Sequence, residues 1–377
     1  MAIDKNISLF VDAHSFDTAL QGTQTFIREL YTALLNNYPQ LDIYFGAYDT
    51  GKIQKAFPFI DSSHVLRYKR KGVTRFVSDI PSFIKKYQFN FAHFQYISPK
   101  QSSHCKYIVT LHDTLYNDFY HDLSFIYTKS RDLLFGKSIK KAHIKTTVSD
   151  HSQKSISEYY KIPAEQIHII PNAVNCSFNN RFSRESAAKK IKEKFGIENF
   201  ILLVSRIEPR KNHLLLLDKF LQLELFKRNI SLVFIGNNSI KVRKLQSTID
   251  SLDNEQKKYF YWFEQVSQDD LEAFYTACRL FVYPSKGEGF GIPPLEAAFC
   301  KAPVLCSSAS AMKNFNFFQP YTFDPGNQKE FEEKLLQMLA QPPCEDFINR
   351  VAADISKTYS WRQSADIFYT LLQSNIA

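Results

Sequence analysis

Short runs of β-branched and aromatic residues alternate along this chain with longer stretches whose apolar positions recur at helical spacing. In the first half NISLFVDA, LDIYFGAY, FNFAHFQY, KYIVTLHD and AHIKTTVS read as strands. TQTFIRELYTALLNNY and DHSQKSISEYYK lie between strands and read as helices. The second half continues the pattern, with NFILLVSR, ISLVFIG, YFYWFE, RLFVYPS and APVLCSS as strands and SQDDLEAFYTACR as a helix. Strand–helix–strand alternation in both halves predicts an α/β protein with two parallel, doubly wound sheets. No repeat of solenoid length and no low-complexity linker interrupts it.

The 377 residues exceed the size at which one hydrophobic core keeps growing, so two domains are expected. Turn-forming residues cluster from Cys176 to Arg181, after a strand that ends at Pro171. The expected domains are therefore residues 1–178 and 179–360. The closing segment, YSWRQSADIFYTLLQ, has helical spacing, and a helix over 361–377 is expected to return onto the first domain.

Composition changes this picture little. A hydrophobic content of 44% and a charged content of 23% suit an ordinary globular protein. The opening MAIDKNISLFVDAH lacks a signal pattern, and the densest apolar run, HLLLLDKFLQLELF, is broken by Asp218, Lys219 and Glu224. A cytoplasmic location is expected. The six cysteines form no C-x-x-C pair, which argues for buried reduced thiols rather than a zinc site or disulfides.

Charge adds one question. The formal net charge is +9, with 21 Lys and Arg against 15 Asp and Glu in residues 1–180, densest in RYKRKGVTR from Arg67 to Arg75. The stretch reads either as a weak contact with anionic lipid at the inner face of the cytoplasmic membrane, or as a solvated basic loop. No nucleic-acid module accompanies it.

The chemistry is concentrated beyond the carboxyl ends of strands, where open α/β sheets bind ligands. In KGEGFGIPPLEAAF three of the eleven glycines, Gly287, Gly289 and Gly291, fall within five residues. The backbone must bend there or approach something closely. Pro293 and Pro294 fix a helix entry, placing Glu296 in the expected first turn, with Glu288 across the loop. Amides at a helix start can bind an anion, and a carboxylate can accept two hydroxyl hydrogen bonds from adjacent sugar hydroxyls. A capping box is the plainer reading of Glu296, but Pro293 has no side-chain oxygen to complete one.

In VSRIEPRKNHLLLL, Arg206, Arg210 and Lys211 precede a helix that Asn212 is expected to cap. Cations there oppose the macrodipole by roughly 0.3–1 kcal/mol each, which an anion such as a diphosphate would relieve. Arg206 and Lys211 are read as phosphate ligands and Arg210 as pointing into water. In YIVTLHDTLY, His112 either faces the ligand crevice or is merely exposed beside an Asx-turn made by Asp113. In ALQGTQTFIREL, Gly22 either lets a ligand approach the backbone or is a simple turn.

No G-x-x-x-x-G-K-[ST] loop occurs, and no G-x-G-x-x-G follows the first strand. No Asp-x-Asp occurs either, so a metal-chelated diphosphate is not indicated.

Together these segments resemble the retaining glycosyltransferases of family 4, which have the GT-B fold of two Rossmann-like domains facing each other across a cleft. The resemblance covers nearly the whole chain. Two glutamates separated by seven residues match EGFGIPPLE, and the arginine-lysine phosphate motif matches SRIEPRKN. TVSDHSQKSISEYYKIPAEQIHIIPNAVN, VSQDDLEAFYTACRLFVYPS and YSWRQSA match further segments in the family's order. The resemblance implies that Arg206 and Lys211 bind the donor diphosphate and Glu296 the ribose. Glu288, with Gly289 and the amides of Phe290 and Gly291, would hold the donor sugar. His112 would sit beside the transferring sugar, Gly22 near phosphate and acceptor, and Glu264 and Val266 near the base. Ser205 stands where the family usually has glycine, and GTQTF replaces its commoner glycine-rich loop.

The implied reaction is metal-independent hexosyl transfer with retained configuration, the leaving phosphate assisting deprotonation of the acceptor. No cofactor is implied beyond the nucleotide-diphosphate sugar as co-substrate. GDP-mannose is the favoured donor, and a glycan or lipid-linked precursor of a surface polysaccharide such as lipopolysaccharide the favoured acceptor. Two other readings stay open: a nucleotide-sugar epimerase of the same fold, and a non-catalytic sugar-nucleotide-binding subunit.

Overall fold

The computed structural model describes residues 7–18, 22–122, 125–174, 178 and 180–376. Cys176, residues 19–21 ahead of Gly22 and Asn179 at the expected domain boundary lie outside the described residues. The chain forms two compact units, Met1–Asn172 with Ser360–Ala377, and Ala173–Tyr359. The division thus falls a few residues ahead of the expected 178/179.

Seven parallel strands make the sheet of the first unit: β1 (Ser8–Asp12), β2 (Asp42–Ala47), β3 (Val65–Arg67), β4 (Phe91–Gln95), β5 (Lys106–Thr110), β6 (Ile144–Thr147) and β7 (Ile167–Ile169). Their order is β3-β2-β1-β4-β5-β6-β7. The second unit holds β8 (Phe200–Val204), β9 (Ser231–Ile235), β10 (Phe260–Phe263), β11 (Leu280–Tyr283), β12 (Val304–Ser307) and β13 (Thr322–Phe323), in the order β10-β9-β8-β11-β12-β13. All pairings are parallel, so helices must cover both faces, and central strands such as β4 and β9 are buried at every position. The strands that the hydrophobic pattern does not mark, β3 and β13, are three and two residues long and give no periodicity to read.

On one face of the first sheet, Ile80, Ile84, Phe135, Ile139, Ile156 and Tyr160 pack from three helices against Phe10, Phe94, Tyr107 and Val109. A further contact set joins helix Gly22–Asn37 to the last helix, Trp361–Ser374. Phe26 meets Trp361 at 6.1 Å between ring centroids, and Tyr38 stacks on Tyr369 at 3.8 Å. Tyr38 also donates to Asp366, and the Ser364 hydroxyl to the Pro171 carbonyl at 2.7 Å. The closing helix thus folds onto the first unit because its aromatic stripe has a partner stripe there.

A buried ion pair ties the basic stretch to β1. Asp12, fully buried, accepts from Tyr68 at 2.8 Å and from the Arg75 guanidinium at 3.1 Å, with His14 at 3.2 Å. Burial disfavours the charge on Asp12, but His14, Arg75 and the Tyr68 hydrogen bond outweigh it and hold the carboxyl well below the usual range. Arg75 is therefore not among the surface cations that the sequence suggests. Of the described cysteines, Cys105, Cys278, Cys300 and Cys306 are buried, whereas Cys344 is exposed at the start of helix Glu345–Thr358, against the expectation of burial.

Arg75→Ala should lower the unfolding free energy by about 3–5 kcal/mol, because it strands the Asp12 carboxylate in the core. The midpoint of urea unfolding, followed by circular dichroism, measures this. Unchanged stability would show that the pair is dispensable.

Candidate active site

The second sheet begins at its middle. The unit's first strand, β8, lies between β9 and β11, so the chain runs to one side and then to the other. At such a switch point the loops leaving the two central strands part and open a crevice at their carboxyl ends. The loops after β8 and β11 carry SRIEPRKN and KGEGFG.

After β8 a short turn, Pro209–Lys211, is closed by Asn212 in the left-handed region at φ 60°. Asn212 occupies the cap position of helix His213–Gln222 but makes no side-chain cap. The turn instead aims Lys211 inward. The Lys286 amide donates to the Arg210 carbonyl at 2.7 Å, stitching the two loops together.

Glu288 is the centre of the site, 7% exposed. Its Oε1 accepts from Lys211 Nζ at 2.6 Å, the Ser285 hydroxyl at 2.6 Å and the Tyr283 hydroxyl at 2.9 Å. Its Oε2 accepts from Arg210 at 3.2 Å. Burial opposes ionisation, yet Lys211 and Arg210, with hydrogen bonds from Lys211 and Ser285, hold the carboxyl down at about 2. Burial and the neighbouring Arg210 pull Lys211 down to about 8, against the pull of Glu288. The pair is ionised at neutral pH, and Lys211 is poised to lose its charge under mildly alkaline conditions.

Two expectations change here. Arg210 does not point into water: it bridges Glu208 at 3.0 Å, the Gly287 carbonyl at 2.7 Å and Glu288. And Glu288 does not offer two free oxygens to a sugar, since protein donors fill Oε1. Arg206 is the more exposed cation, 40% accessible and paired with Glu208 at 3.0 Å. The structure thus joins Arg206, Glu208, Arg210, Glu288 and Lys211 in one chain of contacts.

Among the loop glycines, Gly291 has the conformation that only glycine takes easily, at φ 98°, where it starts helix Ile292–Phe299. A Cβ there would also meet Met312 at 2.9 Å. Phe290 is buried against Phe315 and Tyr359, and Gly289 beside it is buried. Because the helix begins at Ile292, Glu296 lies in its second turn, not its first. There its Oε2 accepts from the Tyr275 hydroxyl at 3.1 Å. Pro293 and Pro294 have no N–H, so free amides at this helix start come from Phe290, Gly291 and Ile292. Glu264 and Val266 follow β10, the edge strand two places from β8.

Gly236, at the end of β9, shows how near the backbones come. A Cβ on it would lie 2.0 Å from the Ser205 carbonyl oxygen. Ser205 thus occupies the crowded position at the end of β8. A crevice of about 760 Å³ opens instead beside Asn199, Arg279 and Lys301, near the amino ends of the strands, and none of the expected site residues line it.

His112 and Gly22 belong to the first unit. Gly22 starts its helix, and among the described residues other than its chain neighbours no atom lies within 4 Å of its Cβ position. His112 is buried just past β5, and its Nε2 lies 2.7 Å from Gln95 Oε1. The Asx-turn is also present, the Leu115 amide donating to Asp113 at 3.1 Å, so His112 is neither merely exposed nor unheld. Burial pushes its imidazole down to about 3, so it is neutral. With Gln95 Oε1 as acceptor, Nε2 carries the proton and Nδ1 is left as an acceptor.

The residues that the sequence leaves unmarked are Glu208, Tyr283, Ser285 and Ser310, whose hydroxyl accepts from the Glu288 amide at 2.6 Å. Tyr283, the last residue of β11, and Ser285 in the loop after it sit five and three residues from Glu288, a signal that polar residues at a strand end supply. Ser310 carries none.

Glu288→Gln should destabilise the protein by about 3–5 kcal/mol, since buried Lys211 then loses its carboxylate partner beside Arg210, which keeps only Glu208. Urea unfolding measures it, and a loss below about 1 kcal/mol would mean that solvent compensates the cations.

Residues 185–353 match the family described as Glycosyl transferases group 1, and residues 20–178 match Glycosyltransferase Family 4. Over 226 residues the chain is 27% identical to the O-antigen chain mannosyltransferase B of Escherichia coli. That match takes in 60% of this chain and 59% of the relative, so the chain aligns with little more than half of the relative's length. Among solved structures it is similar to sucrose-phosphate synthase from Thermosynechococcus elongatus, with a TM-score of 0.76 at 15% identity over 98% of this chain and 99% of that one. It is also similar to Anabaena HepE, solved in complex with UDP-glucose, with a TM-score of 0.70 at 14% identity over 97% and 99%. Two Rossmann-like units, a cation–carboxylate hub at the switch point of the second and these matches lead to one assignment: the chain belongs to the family 4, group 1 glycosyltransferases and has the GT-B fold.

Proposed function

We propose that this protein is a retaining, metal-independent glycosyltransferase. It moves a hexose, mannose favoured, from a nucleotide-diphosphate sugar to a saccharide or lipid-linked acceptor in surface polysaccharide synthesis. The observation that carries the reading is the buried Lys211–Glu288–Arg210 hub at the switch point, with Arg206 at its open side. Three cations, Arg206, Arg210 and Lys211, against two carboxylates, Glu208 and Glu288, leave one positive charge over, which suits a ligand that brings negative charge of its own.

In this reading Lys211 and Arg206 meet the donor diphosphate, and Arg210 adds to the positive field from its place beside Glu288. Their charge stabilises the leaving diphosphate as the bond to the sugar breaks, in a site held ready beforehand. Glu288 keeps Lys211 and Arg210 in place through Oε1 and Oε2, and only Oε2 has capacity left for a sugar hydroxyl. The amides of Phe290 and Gly291 serve the same sugar, with Gly289 beside them. Glu296, oriented by Tyr275, takes the ribose hydroxyls, and the loop bearing Glu264 and Val266 lies toward the base. Neutral His112 accepts a hydroxyl hydrogen bond through Nδ1, a role that a protonated imidazole could not fill. Gly22 leaves room for phosphate or acceptor at its helix start. Mannose is favoured because the matched relative is named as an O-antigen mannosyltransferase, and GDP-mannose is the donor proposed for it.

A thermal-shift panel of GDP, UDP, ADP and their sugar conjugates, followed by product analysis with a glycan acceptor, tests the proposal. A ligand at 100 times its dissociation constant raises stability by about 2.7 kcal/mol. The expected result is a shift with GDP and GDP-mannose and an extended glycan as product. No shift with any nucleotide, or an isomerised sugar nucleotide as the sole product, would overturn it. Lys211→Ala should lower kcat/KM by roughly 10²–10³-fold in a protein that still melts cooperatively. Full activity in that variant would remove Lys211 from the site.

The pH dependence follows from the Lys211 shift. Its cation is present below about 8 and is lost as pH rises through that value. The kcat/KM for the donor, which reports the free enzyme, should therefore fall above pH 8. The limb in kcat should lie higher, because bound diphosphate holds the proton on. A flat kcat/KM profile through pH 9.5, about 1.5 units above that limb, would contradict a charged Lys211 at the donor.

A further inference from the structure

The segments that enter β8, β11 and β12 run side by side at the amino edge of the second sheet. The Arg279 amide donates to the Phe200 carbonyl and the Phe281 amide to the Pro303 carbonyl, both at 2.8 Å. Asn199, Arg279 and Lys301, one residue from each segment, border the crevice of about 760 Å³ there. That volume falls within the roughly 300–1,000 Å³ of small-molecule sites. Arg184, at the start of helix Arg184–Phe195, and Glu345, at the start of helix Glu345–Thr358, bring the other charges. Every lining residue belongs to the second unit.

The three cations meet neutral acceptors only. Arg184 donates to the Cys278 carbonyl at 2.8 Å, and Arg279 to the Leu339 carbonyl at 2.7 Å and to Asn199 Oδ1 at 3.1 Å. Among the described residues no carboxylate lies within ion-pair distance of Arg184, Arg279 or Lys301. Asn175, Cys176, Ser177 and Asn179, which lie outside the described residues, have no carboxylate to bring. Lysines on the helix surfaces of the same unit behave otherwise and pair with glutamates, as Lys189 does with Glu193 and Lys329 with Glu333. Three cations against one lining carboxylate, Glu345, leave a surplus of two positive charges. A carboxylate ligand would cancel one of them. A phosphate monoester carries roughly −1.5 to −2 at neutral pH and offers three oxygens to guanidinium donors, so it cancels both. Phe182, Ala277, Pro303, Pro343 and Ile348 form an apolar wall beside the cations, which suits a ring or hydrocarbon body on that phosphate.

We propose that this crevice is a second ligand site, for a small molecule that carries a phosphate monoester on a cyclic or apolar body. It lies at the amino ends of β8 and β11, whereas Lys211 and Glu288 follow their carboxyl ends, so the two sites are distinct. The inference does not rest on the donor reading.

The test is calorimetric titration of the full chain with phenyl phosphate, with benzoate as the singly charged comparison. Phenyl phosphate should bind once per chain, to the wild type and to Lys211→Ala alike, and at least about tenfold more tightly than benzoate. Arg184→Glu and Lys301→Glu, each made alone at an exposed position, should weaken it at least about tenfold. Glu345→Gln should tighten it about threefold, since it removes the one opposing charge. Lys257→Glu with Lys258→Glu changes the net charge more, away from the crevice, and should leave the affinity within about twofold. Cooperative thermal melting checks that each variant is folded. The proposal is overturned if phenyl phosphate does not bind, if benzoate binds equally well, or if Arg184→Glu and Lys301→Glu both bind like the wild type. Loss of binding in Lys211→Ala would assign the phosphate to the donor site and overturn it too. Nucleotide-induced thermal shifts, expected to be unchanged in Arg184→Glu and Lys301→Glu, report the donor site alone and so separate a failure there from a failure here.

Discussion

The constraint on which the site depends is the neutralisation of one buried carboxylate. Glu288 is taken out of water, and its ionised form survives there only because Lys211, Arg210, Ser285 and Tyr283 all donate to it. Those donors come from two loops, one after β8 and one after β11, which no backbone regularity would hold together. The ion pairs do, with help from the Lys286 amide on the Arg210 carbonyl. Each cation is in turn fixed on a rigid base, the left-handed Asn212 behind Lys211 and Glu208 beside Arg210. The result is positive charge fixed in place before any ligand arrives, with one lone pair of Glu288 Oε2 left over.

The first unit holds a buried carboxylate as well, at the carboxyl end of β1, and the comparison is instructive. Asp12 is fully enclosed by Tyr68, Arg75 and His14. One guanidinium answers one carboxylate, so it closes a loop and offers nothing to a ligand. Around Glu288 three cations, Lys211, Arg210 and the exposed Arg206, answer two carboxylates, Glu288 and Glu208. Charge balance, rather than burial alone, separates a structural ion pair from a site that invites an anion.

His112 shows a third use of burial. Its imidazole is kept neutral by exclusion from water, and its tautomer is set by Gln95. A side chain that would otherwise titrate near neutrality becomes a fixed hydrogen-bond acceptor. Helix Phe125–Lys141 shows the converse: among the described residues Ile126, Leu133 and Leu134 are exposed, whereas Phe135 and Ile139 on its opposite face are buried.

Much of the fold was legible in the sequence, because strands buried on both faces must be short apolar runs and amphipathic helices must repeat their apolar positions. The order of strands was not, because alternation and right-handed crossovers leave open where each sheet reverses direction. The β11 loop could be read too, since three glycines, two prolines and two glutamates leave few structural explanations. What each charge touches could not be read. Arg210 and Lys211 are adjacent in sequence and both could have pointed into water. Their inward turn is decided by Asn212 and by a carboxylate 77 residues away. The same holds for Arg75, which looks like a surface cation in RYKRKGVTR until Asp12 is found beneath it. Hydrophobic periodicity is local and survives in one dimension. Charge pairing is set by distance across the fold, and only the tertiary structure supplies that.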